Sequence, residues 1–137
     1  MVNGDKRDVA AQLLQQLLDG SITNDEFEVH FPHDETDPAL SAIRWCVWSH
    51  YSDLRSHTLS GKDAPSATAK ALLERCCLFL RSGLDFEWPP PQPTVFMAVL
   101  SILTFGWAAR QREQIYASNG DYEVWPFLRE RDYRTHV

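Results

Sequence analysis

Three groups of residues have types and spacings that could do chemistry. His50, Asp53 and His57 stand at i, i+3 and i+7, which brings them to one side of a helix. Two imidazoles beside a carboxylate can act as a general acid–base set. The competing reading is an exposed polar face opposite Trp45 and Trp48. That reading is favoured because no phosphate-cradling glycine loop, Gly-x-Ser-x-Gly or His-Glu-x-x-His accompanies the cluster. Glu26 and His30 at i, i+4, followed by His33, Asp34 and Glu35, offer nitrogen and oxygen ligands of the kind zinc takes. No second anchoring pair completes a closed site, so we expect neither a metal nor a cofactor. Cys46, Cys76 and Cys77 form the third group. Adjacent residues on a helix point about 100° apart, a poor arrangement for a shared metal or a disulfide. In apolar surroundings these cysteines read as small core residues in a reducing, cytoplasmic setting.

Binding residues are easier to nominate than catalytic ones. Trp88 and Trp125 each precede a proline and lie beside acids. Tryptophan is a frequent interface anchor, and a pocket here would involve Arg81, Asp85, Glu87, Trp88 and Trp125. The alternative is that both indoles pin an irregular segment onto the helices. Pro90-Pro91-Gln92-Pro93 contains Pro-x-x-Pro but no flanking base, so a stiff spacer is preferred to a recognition motif.

Charge supplies the remaining candidate. The 137 residues carry a formal net charge of −6. Between Asp8 and Ile43 there are eight acids and no Lys or Arg, whereas Ser66 to Val137 is balanced. A one-signed region either solvates the fold or steers a basic partner, with Asp25, Glu26 and Glu28 at its centre. The acidic balance argues against nucleic-acid binding.

These residues must be positioned by helices. Val9, Ala10, Leu13, Leu14, Leu17 and Leu18 make one apolar stripe over residues 6–19, closed by Gly20. Thr23 and Glu26 spell a capping box, with Ile22 and Phe27 as its hydrophobic staple, and predict a second helix over 24–30. Alternation of Phe27, Val29 and Phe31 offers a strand as rival, but the capping signals are more specific. Asp37-Pro38 opens a third helix expected to run to about His57, with Leu40, Ile43, Val47, Tyr51 and Leu54 inward. Ala39, Ala42, Cys46 and Ser49 form a strip of small residues beside that stripe, and Trp45 and Trp48 widen its apolar arc. Ser66 caps a fourth helix over 67–81, ended by Ser82-Gly83. Leu84 to Trp88 alternates as extended chain. The uncharged stretch Val95 to Ala109 would measure about 22 Å as a helix, short of the ~30 Å of a bilayer core. A buried helix is preferred there, a homodimer interface next and membrane contact last.

The resulting expectation is an all-α single-domain bundle of four main helices with an irregular Trp-Pro-containing C-terminal segment. Its parts are an N-terminal hairpin (1–31), a central helix pair (37–83), an apolar helix (94–118) and a C-terminal strap (119–137).

Two resemblances bear on this. Leu17 to Glu28 (LLDGSITNDEFE) resembles the helical hairpin of SHOCT-type domains, with Gly-x-Ile-Thr-x-x-Glu-Phe-Glu. Glu74 to Pro89, with Arg75-Cys76, Leu78-Phe79-Leu80-Arg81-Ser82 and Phe86-Glu87-Trp88-Pro89, and the later Val124-Trp125-Pro126-Phe127 resemble stretches of a small uncharacterised bacterial protein family. This resemblance implies a bacterial, mostly helical protein and carries over no catalytic residue. The function expected is a non-enzymatic protein-interaction module that meets a basic protein through its acidic N-terminal region, one version being an immunity or antitoxin-like protein. The alternatives are a membrane-peripheral protein using 95–109 and an enzyme built on the third-helix polar face.

Overall fold

The structure, a computed structural model, describes residues 1–51, 55–88 and 122–137. Among these residues the fold is an all-helical bundle without strands. Helix α1 spans Gly4–Leu18, α2 Asn24–His30, α3 Pro38–Trp48, α4 Ala67–Ser82 and α5 Glu130–His136, with short 3-10 turns at Gly61–Asp63 and Tyr122–Val124. The expected helix at 94–118, the Pro90–Pro93 run and the 95–109 stretch lie outside the described residues, as do Asp53 and Leu54.

Local signals explain most of the helix ends. The Asn3 side chain accepts from the Lys6 amide at the start of α1. The Thr23–Glu26 capping box is formed in both directions. Asp37 accepts from the Ala39 amide with Pro38 in the first turn of α3, and Ser66 accepts from the Ala69 amide at α4. Gly83 ends α4 with φ +73°, a left-handed conformation costly for any residue with a Cβ.

Helix α1 packs along α4, while α2, α3 and α5 close around that pair. Leu14, Leu17, Phe27, Ile43, Val47, Leu73, Cys76, Phe79 and Phe127 form the centre of one continuous core. Phe79 meets the Phe127 ring edge-on at 5.3 Å, and Phe127 meets Tyr133 of α5 at 5.5 Å. The C-terminal segment is thereby held on α4 by aromatic rings.

The α1 stripe departs from expectation at both of its edges. Val9 faces outward and is half exposed, whereas Arg7 is buried. Arg7, Ala10, Leu14 and Leu17 follow i, i+3, i+7 and i+10, so a guanidinium occupies the position the stripe reserves for an apolar group. Its Nε and Nη2 donate to the two Asp37 carboxylate oxygens at 2.7 and 2.8 Å, and its Nη1 donates to the Leu84 carbonyl at 2.6 Å. The Arg7 guanidinium also lies over the Phe79 ring, 5.3 Å from its centre. Asp37 further accepts from the Asn3 amide at 3.0 Å. A charge in the core is sustained only by pairing of this completeness.

Helix α3 is shorter than expected, ending at Trp48 rather than near His57. The Ser49 hydroxyl donates to the Cys46 carbonyl at 2.7 Å and the His50 ring binds the same oxygen at 2.6 Å. Side chains thus occupy a carbonyl that the next turn of helix would have used.

Candidate functional site

The stop at Trp48 shapes the most distinctive surface of the described residues. Within α3, Ala39, Leu40, Ala42, Ile43 and Val47 are buried. Arg44, Trp45 and Trp48 fall on the other side of the helix. Trp45 and Trp48 meet edge to face with ring centres 5.0 Å apart and remain 40% and 41% exposed. The expectation that they broaden a central apolar helix is therefore corrected: they stand at its outer edge.

Helix α2 supplies the facing wall. Its capping box aims Phe27 inward, where it is fully buried and stacks at a tilt on Phe31, 5.0 Å away. That orientation leaves Asp25 and Glu26 exposed, Glu28 partly so, and Val29 outward at 78%. The Tyr51 hydroxyl, just beyond α3, donates to Glu28 Oε1 at 2.7 Å and ties the two walls together. Glu28, Arg44, Trp45, Trp48 and Tyr51 line a hollow of about 240 Å³.

The hollow is electrically uneven. Glu28 is served by a tyrosine hydroxyl. Among the described residues Arg44 makes no ion pair or hydrogen bond, and its Nε is enclosed without a partner. A desolvated donor left without an acceptor costs about 1–3 kcal/mol. The arrangement can accept from one side, donate from the other and stack apolar groups between them.

The other nominated residues are dispersed. Trp88 is buried, and its indole Nε1 donates to the Phe127 carbonyl at 3.3 Å. It is an inward anchor. Trp125 is half-buried, edge-on to Phe86 with centres 6.2 Å apart, and its carbonyl accepts from Arg75 Nε at 3.1 Å; the Trp125–Pro126 peptide is cis. Arg81, Asp85 and Glu87 are exposed. Trp88 thus ties the chain that leaves α4 to the C-terminal segment.

The acidic region is likewise divided. Asp37 is consumed by Arg7. Burial pushes its carboxyl up, but the Arg7 and backbone hydrogen bonds together prevail and hold it below the usual range. Asp34 is held well below that range by the Thr36 hydroxyl and amide, then by Asn3, with Lys6 adding a charge at 3.6 Å. Asp25, Glu26 and Glu35 remain exposed.

The third-helix face weighed for His50, Asp53 and His57, whether as an acid–base set or as the preferred exposed polar face, does not form as expected, because α3 ends at Trp48 and His57 is buried. His57 is buried beyond the helix, its amide donating to Asn24 Oδ1 at 2.9 Å and its ring bound to the Arg55 carbonyl at 2.9 Å. Asp53 lies outside the described residues. His30 bonds the Glu26 carbonyl at 2.9 Å, and no group of three or more potential metal ligands occurs among the described residues. The neighbouring Cys76 thiol on α4 lowers the Cys46 thiol. Burial raises Cys76 and pushes Cys77 up to about 11. No described helix is long and apolar enough to cross a membrane.

The class defined by these features is a small all-helical bundle with an aromatic, charge-bearing hollow on one face. Comparison with protein-family models, with curated proteins and with solved structures finds no match for the chain.

Proposed function

We propose that the chain is a non-enzymatic protein-interaction module that meets a basic protein partner through its α2–α3 face. The observation that carries this reading is the exposed Trp45–Trp48 pair at the rim of a hollow. Large aromatic rings left half in water beside charged groups match the anchor-and-rim pattern of protein interfaces. Val29 extends the apolar part of the face, and Asp25, Glu26 and Glu28 supply an acidic rim that attracts and orients a basic surface. The size and acidity suit an immunity-like protein that shields a basic surface in a bacterial cytoplasm.

The test is capture by the immobilised chain across a salt series, with identification of what is retained. We expect a basic protein whose retention falls steeply with salt. Replacing Asp25, Glu26 and Glu28 by Gln preserves their hydrogen-bonding shape and weakens capture. Trp45→Ala with Trp48→Ala abolishes it. Retention unaffected by both sets of substitutions rules the reading out.

A further inference from the structure

The hollow between α2 and α3 also specifies which part of a partner it accepts. Its volume of about 240 Å³ is below the 300–1,000 Å³ typical of sites for drug-sized ligands, so its occupant is about one residue. Three kinds of group line it. Trp45 and Trp48 offer two indoles at 87° to one another, a corner for an apolar side chain. Arg44 offers a guanidinium that no described residue neutralises, with Nε already out of water and unpaired. Glu28, fixed on Oε1 by the Tyr51 hydroxyl, offers a carboxylate as acceptor. Glu28 and Arg44 line the same hollow yet form no ion pair with each other. The acceptor and the donor are therefore presented separately to whatever enters.

One polypeptide unit answers all three: a C-terminal apolar residue. It carries an N–H for Glu28, a carboxylate for Arg44 and an apolar side chain for the indoles, all from one Cα. An internal Asp or Glu brings a carboxylate but too little apolar bulk for the corner. An internal Leu or Phe offers Arg44 only a neutral backbone carbonyl and no opposite charge. We infer that the Glu28–Arg44–Trp45–Trp48–Tyr51 hollow binds the C-terminal residue of a partner polypeptide, with Arg44 receiving the terminal carboxylate. The inference rests on the α2–α3 face being a protein-docking surface and names the chemistry of its anchor. Guanidinium–carboxylate pairing is planar and two-pronged, which favours this anion over a point charge.

The experiment needs no partner in hand. Acetyl-Gly-Phe with a free C-terminus is titrated against its C-terminal amide and against acetyl-Phe-Glu-amide. Indole N–H signals in nuclear magnetic resonance give both the location and the affinity. The free acid is expected to shift the Trp45 and Trp48 signals. The neutral amide should bind at least about tenfold more weakly, the loss of a charge-assisted hydrogen bond. Arg44→Gln should abolish the difference between acid and amide, with circular dichroism confirming an intact fold. Asp25→Gln with Glu26→Gln, which weakens basic-partner capture, should leave the acid preference in place. Equal binding of acid and amide, tighter binding of acetyl-Phe-Glu-amide, or no indole shift at millimolar peptide overturns the inference. If partner capture still depends on Trp45 and Trp48 in that event, the docking surface stands and only its anchor has been misassigned.

Discussion

Replacing Asp37 by Ala should be among the most damaging single changes in the described fold. The Arg7 and Asp37 side chains are 1% and 0% exposed, so removing the carboxylate strands a guanidinium in the core. Breaking a buried pair from one side costs about 3–5 kcal/mol. Asp37 is also the cap of α3, and losing a cap adds about 1 kcal/mol. The sum, about 4–6 kcal/mol, is a large part of the 5–15 kcal/mol that stabilises typical domains. With a urea dependence near 2 kcal/mol per molar, the unfolding midpoint falls by about 2–3 M. The assay is urea unfolding followed by far-ultraviolet circular dichroism. A double-mutant cycle of Arg7→Met and Asp37→Asn separates pairing from capping, because Asn still caps and Met still packs on Phe79. Coupling of about 2 kcal/mol or more is expected. An Asp37→Ala cost below about 1 kcal/mol, or effects that add within about 0.5 kcal/mol, would refute the reasoning.

Acid should probe the same pair. Because the folded Asp37 carboxyl lies below its unfolded value of about 3.9, its contribution is present above about pH 4 and is lost as pH falls through the folded value. Urea midpoints measured from neutral pH downward should therefore drop below about pH 4. Asp37→Asn should flatten that drop, and an equally steep fall in the variant would contradict this. Thiol accessibility gives a further check. With Cys76 and Cys77 buried and their thiols raised, a disulfide reagent at about pH 8 should modify at most Cys46 in the folded chain and all three cysteines in guanidinium. Rapid modification of three thiols without denaturant would show the core to be open.

Legibility from sequence tracked how local each cause is. The Thr23 capping box, Asp37-Pro38, Ser66 and Gly83 act within one turn of backbone, and each marks a real boundary. The end of α3 was hidden because its apolar spacing continues to Tyr51. What stops the helix is competition for one carbonyl by Ser49 and His50, two residues that can also sit within a helix. Arg7 was overlooked because a base in a first turn normally points to water. Its position in the 7-10-14-17 row was the available signal. Asp37 was legible as a cap but not as an ion-pair partner, since that role depends on a residue 30 positions earlier. The hollow was least visible. Glu28, Arg44 and Trp48 become neighbours only after two helices have packed, although 44, 45 and 48 fall off the 40-43-47 row and so announce an outward face.

The Arg7 junction also sets how the first turn of α1 opens. Helix ends usually fray, so their amides exchange hydrogen with solvent through inexpensive local openings. Here Asn3 and Arg7 both bond Asp37, Asn3 and Lys6 both engage Asp34, and Arg7 reaches the chain just past α4. Lifting that turn would require detaching the start of α3 and the exit of α4 together. Protection against exchange at the two bonded amides of that turn, Lys6 and Arg7, should consequently approach that of the central helices, making one end of a helix a reporter of whether the whole bundle is closed.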